Sequence, residues 1–237
     1  MSNSDTARLA VLIDADNASA AKIKALLEEI AKFGIATIKR AYGDWTTQNL
    51  VGWKDQLHRH AVQPIQQFAY TKGKNSTDAS LIIDAMDLLY AGNVDGFCLV
   101  SSDSDFTRLA TRMREAGKLV YGFGEQKTPE AFRAACDRFI YLEVLGTSAP
   151  AGEEKPNVAD IPDLKDAITQ AFLATSRDSG WASLSAVGSH IAKNNSAFDT
   201  RLYGCSKLSE LVRKQPYLEV KESTDASGFS HLSIRLK

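Results

Sequence analysis

The chain has 237 residues, 44% of them hydrophobic and 24% charged, with a formal net charge of −1. This length suits one domain plus a smaller one, and the near-zero charge gives no global drive toward nucleic acid, so any such function must rest on local patches. No apolar run approaches the about 20 residues of a membrane helix, and residues 1–6 have neither a basic start nor an apolar segment, so the expected location is the cytoplasm, with no membrane partner. Cys98, Cys136 and Cys205 are odd in number and widely spaced. That argues against a disulfide framework or a thiolate zinc site and for small buried apolar residues.

Residues 9–13 are a continuous apolar run without polar alternation, which predicts a strand buried on both faces of a parallel sheet. Asp14-Ala15-Asp16-Asn17 follows directly, ahead of a helix over 20–32. Further strands are predicted over 35–41, 62–68, 97–101, 119–123 and 139–142, with helices over 47–60, 77–90, 105–115 and 129–135 between them. Gly34, Gly92 and Gly117 follow three of these helices as terminating glycines. Strand and helix in alternation imply a mostly parallel sheet with helices on both faces, whose ligands bind beyond the carboxyl ends of the strands.

The strand over 97–101 runs into Ser102-Asp103-Ser104-Asp105, where Ser102, Asp103 or Ser104 can cap the next helix. Asp78 stands ahead of an apolar helix that Ser76 or Thr77 can cap, which places it in the first turn. Asp14, Asp78, Asp103 and Asp105, with Asn17, offer only hard oxygen ligands, suited to Mg²⁺ or Mn²⁺ rather than zinc. Clustered carboxylates repel, and a divalent ion that relieves the repulsion could also bridge a phosphate and activate water. A helix cap alone is the commoner role for such an Asp, but acids from three segments gathering at one sheet edge are less simply explained as caps. Asp16 and Asp84 rank lower; Asp84 is six residues from Asp78 and does not share its helix face.

On Ile13-Asp14-Ala15-Asp16-Asn17, Lys74-Asn75-Ser76-Thr77-Asp78 and Ser101-Ser102-Asp103-Ser104-Asp105-Phe106, residues 9–142 resemble the NYN domain family, a branch of the PIN-like nucleases. The resemblance implies an α/β/α three-layer domain that cleaves RNA with a divalent metal, with Asp14, Asp78, Asp103 and Asp105 as metal ligands. It also implies that Asn17 positions a metal water or phosphate and that Ser101 or Ser102 lines the site. Between residues 40 and 74, cations and aromatic rings are interleaved, and Arg40, Trp45, Lys72 and Lys74 are candidate contacts to RNA. In the same segment Trp53 and Leu57 suit a core face, and His58 and His60, two apart, make a poor metal pair and are read as surface residues.

A small, polar, proline-bearing stretch then marks a linker, which divides the chain into domains over 1–145 and 160–237 joined by residues 146–159. The second unit predicts helices over 161–174, 184–193 and 206–214 and two strands, 218–221 and 231–236, around a turn at 225–228, a pattern that fits a winged helix-turn-helix. Gly180-Trp181-Ala182-Ser183-Leu184, Val187-Gly188 and Phe198 to Leu208 resemble the OST-HTH or LOTUS domain, a winged-helix module linked to RNA binding and protein contacts. Trp181, Leu184, Phe198 and Leu208 are read as core. From residue 151 onward 11 basic and 11 acidic residues balance, so any nucleic-acid face needs a local grouping such as Arg201, Lys207, Arg213 and Lys214. Two alternatives remain: an RNA-binding adaptor with an inactive acidic site, and a phosphatase of the haloacid dehalogenase type built on Asp14-Ala15-Asp16. The second has Asn17 and Ala18 where that family favours Gly and Thr and leaves Asp78 without a role. Gly122-Phe123-Gly124 is too little for a dinucleotide-binding loop.

Overall fold

The computed structural model describes residues 6–68, 76–146, 163–176, 180–224 and 230–237, and the chain divides into two units, Met1–Gly146 and Thr147–Lys237. Apart from Gly146, the linker expected over 146–159 lies outside the described residues.

In the first unit the strands are β1 (Arg8–Asp14), β2 (Ile35–Gly43), β3 (Gln63–Gln66), β4 (Gly96–Val100), β5 (Leu119–Gly124) and β6 (Arg138–Tyr141). All pair in parallel, in the order β3-β2-β1-β4-β5-β6. Every residue of β1 after Arg8 and every residue of β4 is buried, as unbroken apolar runs require when helices cover both faces. The strand expected over 62–68 keeps only four residues: it lies at the sheet edge with a single neighbour and contains Pro64, which cannot donate to a ladder.

The helices are α1 (Ile23–Ile30), α2 (Lys54–His60), α3 (Ser76–Ala91), α4 (Thr107–Glu115) and α5 (Glu130–Ala135). Three predicted helices begin instead as 3₁₀ turns, Ala20–Lys22, Gln48–Trp53 and Ser104–Phe106; in the second of these Val51 and Gly52 are poor α-formers. Right-handed crossovers from this strand order place α1 and α2 on one face and α3, α4 and α5 on the other. Phe106, Phe132 and Phe139 pack together on the latter side, while Phe33, just past α1, stacks on Tyr121 at 4.6 Å. Gly92 and Gly117 take the left-handed conformation of helix terminators, at φ 70° and 75°. Gly34 serves differently, since a Cβ there would lie 2.2 Å from the Ala7 carbonyl oxygen.

The second unit has α6 (Leu164–Thr175), β7 (Ala182–Ser183), α7 (Leu184–Asn194), a 3₁₀ turn over Thr200–Tyr203, α8 (Leu208–Arg213), β8 (Leu218–Thr224) and β9 (Ser230–Leu236). The strands form an antiparallel sheet, β7-β9-β8, over a core that includes Ile168, Val187, Ile191, Val212 and Ile234. Leu184 belongs to this core, and Phe198 and Leu208 pack against it half-buried. Trp181 departs from its expected core position. Ala182 pairs with Ile234, so alternation turns Trp181 and Arg235 to the opposite face, where Arg235 and Lys221 lie 4.9 and 5.9 Å from the Trp181 ring. Of the expected basic group, Arg201, Arg213 and Lys214 form ion pairs with Asp199, Glu222 and Glu210. The turn expected at 225–228 lies outside the described residues. No helix among the described residues is long and apolar enough to cross a membrane.

Candidate metal centre

From the middle of the sheet the chain passes outward one way through β2 and β3 and the other way through β4, β5 and β6. The carboxyl ends of β1 and β4 therefore meet at a topological switch point, where the crevice of an open parallel sheet opens. Asp14, the last residue of β1, is 1% exposed. Its Oδ2 accepts from the Ser101 hydroxyl and from the Asn17 side-chain amide, each at 2.8 Å, whereas Oδ1 is buried with no hydrogen-bond partner among the described residues. The Ser101 Oγ in turn accepts from the Asp103 backbone N–H at 3.1 Å. One hydroxyl thus joins the ends of the two central strands.

Asp103 accepts from the Asp105 backbone N–H at 2.9 Å, so it does cap the turn that leads into α4. Capping occupies one lone pair of Oδ1 and leaves the other oxygen available, so the cap and ligand readings are compatible. The first turn of α3, tied to the end of β1 through Thr77 and Asp16, brings Asp78 to the same sheet edge. Oxygens of Asp78, Asp103 and Asp105 all lie within 4.8 Å of one another. Asp14 is not one of that tight group, but its charge acts on Asp78. Thr77, a candidate cap by sequence, instead lies within α3 and donates its hydroxyl to exposed Asp16 at 3.0 Å, which ties the β1 turn to the start of α3.

The electrostatics follow from this crowding. Burial, then the charges of Asp14, Asp103, Asp105 and Asp16, push the Asp78 carboxyl up to about 6. Burial also raises Asp14, against the opposing hydrogen bonds from Asn17 and Ser101. Three converging carboxylates, all hard oxygen donors, beside a buried oxygen that lacks a donor fit a divalent cation such as Mg²⁺ or Mn²⁺.

The remaining candidates are dispersed. Ser102 accepts from the Glu125 backbone N–H at 2.8 Å and so holds the end of β5. Arg40, half-buried on β2, is ion-paired with Asp84 of α3, and the Tyr42 hydroxyl donates to the same carboxylate. Burial, reinforced by Asp84, raises the Tyr42 pKa. Asp84, expected at most to assist a metal, thereby fastens α3 to the sheet. Trp45 donates its indole N–H to the Ile65 carbonyl at 2.9 Å and meets Trp53 edge-on. Trp53 and Leu57 are buried, His58 is exposed and His60 half-buried. Lys72 and Lys74 lie outside the described residues. Sequence reasoning missed the Arg40, Tyr42 and Asp84 network; its signal was an acid set between the apolar positions Leu81 and Ala85 of a helix.

A six-stranded parallel sheet between helices, with acids gathered at its switch point, defines a PIN-like α/β domain. The NYN domain model matches residues 8–143, and the chain belongs to that family; the OST-HTH/LOTUS domain model matches residues 160–229. No curated protein matches the chain. Among solved structures, a protein of unknown function from Vibrio parahaemolyticus is 18% identical with a TM-score of 0.51, covering 60% of this chain and 96% of its own, a likeness of fold alone. A protein from Chromobacterium violaceum is 49% identical over 32% of this chain and 80% of its own, with a TM-score of 0.28. One from Nitrosomonas europaea is 28% identical over 37% and 90%, also with a TM-score of 0.28.

Proposed function

We propose that this protein is a divalent-metal-dependent endoribonuclease with a nuclease domain over residues 1–145, a linker over 146–159 and an RNA-binding winged-helix domain over 160–237. The observation that carries the reading is the convergence of Asp78, Asp103 and Asp105 within 4.8 Å beside the partnerless Oδ1 of Asp14. Membership of a nuclease-type family and the matched OST-HTH/LOTUS domain support it. Asp78, Asp103, Asp105 and Asp14 would hold Mg²⁺ or Mn²⁺. Bound there, the ion would lower the pKa of a water for attack on phosphorus and neutralise charge on the phosphate.

The chain's own residues do the rest. Ser101 and Asn17 hold the Asp14 carboxylate in one orientation and keep its Oδ1 directed away from both donors. The Asp103 cap fixes the turn that presents Asp105. Burial, and then the adjoining charges, hold the Asp78 carboxyl up at about 6, so a cation bound there would displace its proton. The phosphatase alternative gives Asp78 no task.

The test is cleavage of labelled single-stranded RNA with Mn²⁺, with Mg²⁺ and with a chelator, comparing the native chain with Asp14→Asn/Asp103→Asn. Metal-dependent cutting that the double variant loses is expected. RNA bound but uncut by both proteins would instead favour the adaptor.

A further inference from the structure

The helix faces that deliver the acids continue past them. On α3, Asp78 is followed at helical spacing by Ile82, Met86 and Tyr90; along the 3₁₀ turn and α4, Asp105 is followed by Arg108, Leu109 and Arg112. Ile82, Met86, Asp105, Arg108, Leu109, Arg112 and Glu115 line one cavity of about 280 Å³, just below the about 300 Å³ at which ligand pockets begin. Its floor is apolar, Arg108 and Arg112 are exposed on its rim, and its near end is an acid of the cluster. Where the cavity runs out, Arg112 donates to the hydroxyl of Tyr90 at 3.4 Å, and Tyr90 is 72% exposed.

We propose that this α3/α4 groove seats the single-stranded RNA segment on one side of the scissile phosphate. Arg108 and Arg112 hold its phosphates, Ile82, Met86 and Leu109 contact a base, and the Tyr90 ring stacks a base farther out. Charge complementarity gives the strand its direction. A strand whose scissile phosphate sits at Asp78, Asp103 and Asp105 must carry its neighbouring phosphates away from a carboxylate cluster, and paired guanidiniums one helical turn apart receive them on this side. From Asp78 to Tyr90 the helix rises about 18 Å, long enough for several nucleotides to lie along it. Alternating cations and an exposed ring over an apolar floor suit single strands without regard to base identity. Arg112 also lies 3.7 Å from Glu115, a contact between two exposed side chains that a phosphate readily displaces.

The inference rests on the nuclease reading only for what happens at the acids; the seating of RNA is measured separately. The full chain is irradiated with a single-stranded RNA carrying 4-thiouridine, in Ca²⁺ to fill the carboxylate site, and cross-linked peptides are mapped. Cross-links in residues 82–90 and 105–112 are expected. Arg108→Ala/Arg112→Ala should abolish them, weaken binding at least tenfold and reduce the slope of log Kd against log salt by about 1.4, at about 0.7 per single-strand phosphate contact. Arg108→Lys/Arg112→Lys should restore the slope, and equal melting of all three proteins excludes a folding defect. Cross-links confined to residues 160–237 or to other faces of the first unit, or an unchanged salt slope, would overturn the proposal, and the groove would then belong to another occupant such as a protein. Cross-links in the groove without any cutting in Mn²⁺ would sink the nuclease reading and leave the groove standing. Metal-dependent cutting with no cross-link there would do the reverse.

Discussion

Asp78 should cost the metal-free protein stability and repay it only when a cation is bound. Its carboxyl is raised from 3.8 to about 6, so the folded state binds this proton more tightly than the unfolded chain does. The stabilisation from protonation is complete below about pH 3.8 and lost as pH rises through about 6. The full shift corresponds to about 3 kcal/mol, which screening at a half-exposed group reduces to about 1 kcal/mol. In chelator at pH 7.5, Asp78→Asn should therefore melt about 3 °C higher than the native chain in the transition of the first unit, and the two should converge near pH 4. In Mn²⁺ the order should reverse. A site filled at about 100 times its Kd stabilises the native fold by about 2.7 kcal/mol, and the variant, one carboxylate short, gains much less. Calorimetric scans at both pH values, with chelator and with Mn²⁺, read the whole pattern. A variant less stable than the native chain in chelator at pH 7.5, or equal Mn²⁺ shifts in both proteins, would refute the reasoning.

Ser101→Ala removes a donor from Asp14 and an acceptor from the Asp103 amide at a residue 2% exposed. It should cost about 1 to 3 kcal/mol in urea unfolding and weaken Mn²⁺ binding at least about tenfold by titration calorimetry. Gly124→Ala would place a Cβ 2.6 Å from both the Ser101 carbonyl oxygen and Thr128 Oγ1, and since a backbone oxygen cannot swing aside, a loss of about 1 to 3 kcal/mol is expected by the same assay. Gly52→Ala, whose Cβ meets nothing within 4 Å, should be near neutral. Burial raises the Cys98 thiol and pushes Cys136 up to about 12, and all three cysteines are buried. Iodoacetamide followed by mass spectrometry should therefore modify none of them in the native protein and all of them in denaturant.

The sheet was legible because its strands carry their burial in their composition. Residues 9–13 and 97–100 have no polar position to turn toward water, and each stops at a carboxylate or a serine where the chain leaves the core. Strand order was not written locally; pairing of β1 with β4 joins residues 87 apart in sequence. Long-range polar partners were hidden for the same reason. Arg40 reads as a free cation beside Tyr42 and Trp45, and only the packing of α3 onto β2 supplies Asp84, 44 residues away. Trp181 shows the opposite limit, because a two-residue strand next to it sets which face the ring takes and so short an element leaves no periodicity to read. Arg108 and Arg112 were visible at three and seven residues beyond Asp105, yet a pair of arginines on a helix gains meaning only once α3 lies beside them.

The hydrogen bond from Ser101 to Asp14 also bears on how the molecule comes into being. Both central strands are parallel to every neighbour, so no hairpin can nucleate them, and loop closure over most of the first unit must precede their pairing. On a ribosome, Asp14 and its local partner Asn17 emerge together, and the Ser101 hydroxyl joins them only once residue 101 and its surroundings have been synthesised. A truncated or stalled product lacking β4 would hold Asp14 and Asp78 without the turn bearing Asp103 and Asp105, so the acid cluster is assembled only in chains that have grown past residue 105.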